Sequence, residues 1–223
     1  MFRFMDCNSL EIVCKEYPVG RGFAIVVALS LHCANAQSAI VADEAQLGDF
    51  SNDGLAPTHF SLGAGTNVVA GTFGASALPD VHDLDYVSFT VPAGHVMSRF
   101  VLIDAYVGGA FSFVGMQAGP ALTVPPDNWS IETPLLGWTH FGSSSIGRDL
   151  LPEMAVSPGS VGFTTPLPSG TYSLWIMELD TSESYRYRFG IEVVAVPGPG
   201  ALATVAMLAR AFPRQEVRRR NRR

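Results

Sequence analysis

Tyr185-Arg-Tyr-Arg-Phe-Gly-Ile-Glu-Val193 repeats with a period of two: Tyr185, Tyr187, Phe189, Ile191 and Val193 fall on one side, Arg186, Arg188 and Glu192 on the other. An extended strand sorts residues in this way, because successive side chains point to opposite faces, whereas a helix repeats every 3.6 residues. The stretch therefore reads as a strand with one face in a core and the other in water. Upstream, Asp85-Tyr-Val-Ser-Phe-Thr-Val91 places Val87, Phe89 and Val91 together and is stopped by Pro92-Ala-Gly94. The same reading predicts strands over 67–73, 96–107, 111–117, 135–141 and 171–178, with Phe100, Leu102, Trp175 and Ile176 in the core. No long amphipathic helix pattern interrupts them. Short strands separated by Gly/Pro turns predict an all-β fold, an antiparallel β-sandwich or jelly roll of about seven to nine strands, flanked by short helical terminal segments.

The chain has 223 residues, of which 48% are hydrophobic and 15% charged. That is enough to enclose one core, and it excludes a disordered chain. Between Gln37 and Val196 sixteen acidic residues face four basic ones (Arg99, Arg148, Arg186, Arg188), a net of −12. A surface of that sign repels phosphate backbones, which argues against a nucleic acid partner; it suits divalent cations, or serves solubility alone. All three cysteines, Cys7, Cys14 and Cys33, precede this body, so neither a disulfide framework nor a thiolate metal site is expected in it.

The ends read as addresses. Arg21 is followed by an apolar run from Gly22 that closes with Ala34-Asn35-Ala36, the A-x-A pattern of a signal peptidase site. Residues 1–36 are therefore expected to be a signal peptide, cleaved before Gln37. The first 21 residues carry three acidic and three basic side chains, where such leaders are normally basic. At the other end, Val196-Pro-Gly-Pro-Gly200 leads into an apolar run, Ala201 to Ala209, and then a basic tail with Arg218, Arg219 and Arg220. This arrangement resembles the PEP-CTERM sorting signal of exosortase-processed bacterial proteins. Pro197 and Pro199 match its motif, Gly198 stands where it usually has Glu, and Gly200 follows. Nine apolar residues cover about 14 Å as a helix, short of the roughly twenty residues a bilayer needs. The resemblance implies that residues 197–223 are a sorting or anchor tail handled by an exosortase-type enzyme, with transient or retained anchoring in the inner membrane. The protein would then be delivered to the cell surface, outer membrane or medium.

Residues 37–196 form the expected domain. Asp80-Val-His-Asp83-Leu-Asp85-Tyr-Val-Ser-Phe-Thr-Val-Pro-Ala-Gly94, followed by Pro168-Ser-Gly-Thr-Tyr-Ser-Leu-Trp-Ile176, is similar to the bacterial pre-peptidase C-terminal (PPC) domain. That family reads Asp-x-Asp-aromatic, an alternating strand, Pro-Ala-Gly, then Gly-Thr-Tyr. The resemblance implies a non-catalytic sandwich on an exported protein. It is weakest between Ala118 and Pro166, a Gly/Pro/Ser-rich stretch.

Asp80, Asp83 and Asp85 are the richest polar constellation, three carboxylates entering a strand. Ca²⁺ takes several hard oxygen ligands at once, so a weak Ca²⁺ site is one reading; Asx hydrogen bonds to the turn backbone are the other. No other cofactor is expected. Asp43, Glu44, Asp49 and Asp53 read as a solvated N-terminal arm. His59, His82, His95 and His140 lack the paired spacing of zinc ligands and read as single surface histidines. Gly142-Ser-Ser-Ser-Ile-Gly147 does not have G-x-S-x-G spacing and reads as a loop, so no catalytic residue is assigned. Trp129, Trp138 and Phe141 lie in or beside the Gly/Pro/Ser-rich stretch, with Trp129 and Trp138 as candidate sugar-stacking residues; packing of Trp138 under the loop as core is the other reading. The expected function is a non-enzymatic exported surface or matrix protein. A carbohydrate-binding module recognising extracellular polysaccharide is the alternative, and a secreted hydrolase the third reading.

Overall fold

In the computed structural model, which describes residues 39–75, 82–106, 112–124, 135–178 and 183–196, all seven strands expected from alternation are present and three shorter ones join them. In chain order these are β1 (Ala39–Asp43), β2 (Thr58–Ser61), β3 (Gly65–Ala75), β4 (His82–Asp83), β5 (Asp85–Val91), β6 (His95–Tyr106), β7 (Phe113–Ala118), β8 (Leu135–His140), β9 (Gly170–Met177) and β10 (Ser184–Ala195). Two one-turn helices, α1 (Glu44–Leu47) and α2 (Leu151–Met154), lie between them. The strands form two sheets, one in the order β1-β3-β10-β6 with β4 also on β3, the other β2-β5-β9-β7-β8. The fold is an all-β sandwich.

β10 is the spine of the first sheet. It runs antiparallel to β3 from Ser184↔Gly74 to Val193↔Gly65 and to β6 from Arg186↔Tyr106 to Ala195↔His95. Its apolar set, Tyr185, Tyr187, Phe189, Ile191 and Val193, points inward and is buried, and the alternating Arg186 and Arg188 are exposed. Phe189 stacks on Phe100 at 4.7 Å and meets Phe141 edge-on at 5.2 Å. From the second sheet Val87, Phe89, Val91, Val114, Met116, Leu174 and Ile176 complete the same core. At about 25 cal/mol per Å² of buried apolar surface, burial on both inner faces is the dominant stabilising term.

Two edge pairs are parallel: β1 with β3 and β2 with β5. Each requires a crossover of a dozen or more residues, and the intervening segments 44–64 and 62–84 are long enough. They also change the reading of the N-terminal stretch. It is not a solvated arm: β1 and β2 edge the two sheets, and Ala42, Phe50, Phe60 and Leu62 are buried in the core.

The Gly/Ser-rich stretch after β8 lies along the free edge of β6. Gly147 N–H donates to Leu102 O at 2.7 Å, Leu150 N–H to Phe100 O at 2.7 Å, and Phe100 N–H to Asp149 Oδ1 at 3.0 Å. Covering an edge in this way satisfies its backbone groups and hides them from other chains. The same stretch delivers Leu150, Leu151 and Met154 into the core. Residue 137 has to be glycine for α2 to seat against β8, since a Cβ there would overlap the Met154 carbonyl oxygen. Gly137→Ala is therefore expected to destabilise the fold by about 3 kcal/mol and lower the melting temperature by roughly 10 °C in a thermal denaturation experiment. An unchanged melting temperature would show that α2 is not seated there.

Candidate functional site

The second sheet-free edge of β3, opposite β10, is shared out along its length. β1 pairs with residues 67–70 and β4 with 74–75, which leaves Thr72 between them. Glu44, the first residue of α1, fills that gap. Its Oε2 accepts the Thr72 N–H at 2.6 Å and the Thr72 hydroxyl at 2.9 Å, and its Oε1 accepts the Phe50 N–H at 3.0 Å. Asp43 caps α1 by accepting the Ala45 N–H at 3.0 Å. One carboxylate thus stands in for the missing stretch of strand and fixes where the chain turns back.

At the same place the chain passes from one sheet to the other. β4 ends at Asp83, β5 begins at Asp85, and Leu84 between them donates its N–H to Asn52 Oδ1 at 2.7 Å. Because alternation continues through the crossing, Asp85 shares the inward face of β5 with Val87 and Phe89, and it is 0% exposed. Oxygens of Glu44, Asp49 and Asp85 all lie within 4.8 Å of one another. The hydroxyl of Tyr187, a residue 2% exposed, faces the same point across Gly71. A Cβ on Gly71 would sit 2.5 Å from that hydroxyl and 3.1 Å from Asp85 Oδ2, so the glycine makes room for both. Asp85 faces Tyr187 and Glu44, but among the described residues neither of its oxygens, nor the Tyr187 hydroxyl, closes a hydrogen bond. An open groove of about 300 Å³, lined by Glu44, Gly71, Thr72, Asp104, Arg186 and Tyr187 among others, lies against the cluster.

Burial, and then the neighbouring Glu44 charge, push the Asp85 carboxyl up to about 10. Burial followed by the charges of Asp49 and Glu44 raises Asp83 to about 6, and burial followed by Asp85 raises the Tyr187 phenol well above its ordinary value. Like charges this close cannot all ionise unless something positive joins them. The arrangement can therefore do one of two things: hold a proton on Asp85, or take up a cation.

The sequence places Asp80, Asp83 and Asp85 where a turn enters a strand. Asp83 closes β4, half-buried, and Asp85 opens β5 as expected, facing the core; Asp80 lies outside the described residues. The partners that meet Asp85 are Glu44 and Asp49, which the spacing alone does not connect to it. Among the described residues Asx hydrogen bonds form at Asp43, which accepts the Ala45 N–H at 3.0 Å, at Asp53, which accepts the Leu55 N–H at 2.9 Å, and at Asp149, which accepts the Leu151 N–H at 3.1 Å. Trp138 is half-buried on the outer face of the second sheet. Its ring stacks on Phe113 at 6.0 Å and its N–H donates to Pro158 O at 2.9 Å. Trp129, residues 1–36, the motif Pro197-Gly198-Pro199-Gly200 and Arg218, Arg219 and Arg220 lie outside the described residues. Among those described, no helix is long and apolar enough to cross a membrane.

Asp85 gives the metal-free protein a defined pH dependence. Its folded value lies above the ordinary carboxyl value of 3.8, so the folded state binds the extra proton, and stability falls as pH rises from about 4 towards 10. Asp83 adds to the fall between about 4 and 6. In the presence of chelator, Asp85→Asn is expected to flatten this profile and to raise the melting temperature at pH 8 by at least about 4 °C, with little change at pH 4. Parallel profiles for the two proteins would show that Asp85 is not the group responsible.

No family model matches this chain, and no curated protein or solved structure matches it.

Proposed function

We propose that this chain is a non-enzymatic exported cell-surface or extracellular-matrix protein, with the sandwich as its structural body and its ends as delivery signals. One observation carries the reading. β10, the central strand of the first sheet, ends at Ala195, two residues before Pro197, so the described sandwich closes just ahead of the expected sorting segment. Signal peptidase and an exosortase-type enzyme are the partners this reading requires.

The described histidines His59, His95 and His140 make the following contacts. His59 Nδ1 lies 3.0 Å from Ser88 Oγ, a serine–histidine contact, but the two face each other across parallel β2 and β5 and Ser88 is buried. Among the described residues no carboxylate orients His59, the third element that activation of a serine needs. The ring of His95 contacts Ala93 O at 3.2 Å, a local contact, and that of His140 contacts Ser112 O at 3.3 Å, across from β8 to the residue before β7.

The test is fractionation of the producing cells with mass spectrometry of both termini of the mature chain. The expected product begins at Gln37, is trimmed near residues 197–200, and is found at the surface or in the medium. Recovery of the intact 223-residue chain from the cytoplasm would end the proposal.

A second reading, binding of extracellular polysaccharide, is favoured by the aromatic group on edge strand β8, where Trp138 meets His140 edge-on at 5.6 Å and His140 is exposed. Stacking of a sugar ring there would be weakened by Trp138→Ala. In polysaccharide pull-downs the variant is expected to lose retention while keeping its melting profile; equal retention of both proteins would remove this reading.

A further inference from the structure

We infer that Glu44, Asp49 and Asp85, with the Tyr187 hydroxyl beside them, form a calcium site that ties the N-terminal segment to both sheets.

Geometry comes first. Calcium binds oxygens at about 2.3–2.6 Å, so two ligands on opposite sides of one ion are about 5 Å apart. Three carboxylate oxygens within 4.8 Å of one another therefore enclose a point that a single ion can reach. The second observation is independent of the clustering. Asp85 is fully buried, is aimed into that point, and has no hydrogen-bond partner among the described residues for either oxygen. A carboxylate in such a place is expensive to bury unless a charge of opposite sign meets it, and no arginine or lysine forms an ion pair with it among the described residues.

Donor chemistry selects the ion. The cluster offers carboxylates and a neutral phenol oxygen, with no imidazole or thiol among its three acidic members, which disfavours zinc. Its ligands come from a helix start, a loop and a strand, and Asp49 is exposed while Asp85 is enclosed. Such a set can adapt to the six to eight ligands of calcium, completed by water from the groove, more readily than to the small octahedron of magnesium. Glu44 already holds Thr72 and Phe50 through its two oxygens, so it arrives preorganised and keeps lone pairs for the ion.

Glu44 belongs to α1, Asp85 to the second sheet and Tyr187 to the first. An ion bound between them would therefore join the two sheets and the N-terminal segment at one end of the sandwich. An affinity near 0.1–1 mM is expected, as in extracellular calcium modules.

The full-length protein is freed of metal with chelator, dialysed, and titrated with calcium chloride while its melting temperature and binding heat are followed. The melting temperature is expected to rise by roughly 5 °C at 5 mM Ca²⁺ and to saturate, with Mg²⁺ giving less than half that shift. Asp49→Asn, at an exposed position with little packing to lose, is expected to weaken Ca²⁺ at least tenfold. Asp85→Asn is expected to abolish the response, and Glu153→Gln, far from the cluster, to leave it unchanged. Terbium gives a second readout: tyrosine-excited luminescence is expected from the parent protein, to be displaced by Ca²⁺, and to be absent in Asp49→Asn. No shift at 10 mM Ca²⁺, or an equal shift in the Asp49 and Asp85 variants, would overturn the inference.

Discussion

The register of β10 is the constraint on which the remainder rests. Tyr185, Tyr187 and Phe189 alternate with Arg186 and Arg188, and a slip of one residue against β3 or β6 would carry two guanidinium groups into the core and three aromatic rings into water. No arrangement of the second sheet could compensate for that. With β10 fixed, Phe189 finds Phe100 and Phe141, and Tyr187 comes to lie opposite Gly71. The position of the acidic cluster follows from the same register, since Tyr187 is one of its walls.

A carboxyl group facing the interior of a sandwich is a conflict between local pattern and global packing, and such conflicts tend to mark sites under a second demand. Here the conflict sits where the chain crosses between sheets at Leu84. The crossing could have been made with an apolar residue at position 85, continuing the run of Val87, Phe89 and Val91. Instead an acid is held beside two others, with a glycine opposite to admit it. The first sheet's edge is organised around the same point, because Glu44 replaces strand pairing at Thr72.

Much of the fold could be read from the sequence because long alternating strands announce themselves one by one. β10 and β5 needed no knowledge of their neighbours. β1 and β2 are too short for a period to emerge, and their pairing partners lie far along the chain, so the stretch carrying Asp43, Glu44, Asp49 and Asp53 reads as an arm. The site was half legible. Asp85 stands in phase with Val87 and Phe89, and that phase alone places it inward; the sequence groups it with Asp80 and Asp83, its neighbours along the chain. That residues 44 and 49 reach residue 85 is a property of the parallel crossover, which no local spacing encodes. Trp138 could be recognised as an aromatic near the surface, but its stacking on Phe113 depends on the register between β7 and β8.

The central place of the final strand has a mechanical consequence. Any tension applied to the polypeptide beyond Val196 enters the fold through β10, which is bonded along nearly its whole length on both sides and runs antiparallel to each neighbour. Such a pull acts along the ladders and loads many hydrogen bonds together, in shear, where an edge strand would peel away bond by bond. A domain tethered by its C-terminus could hardly offer a firmer handle.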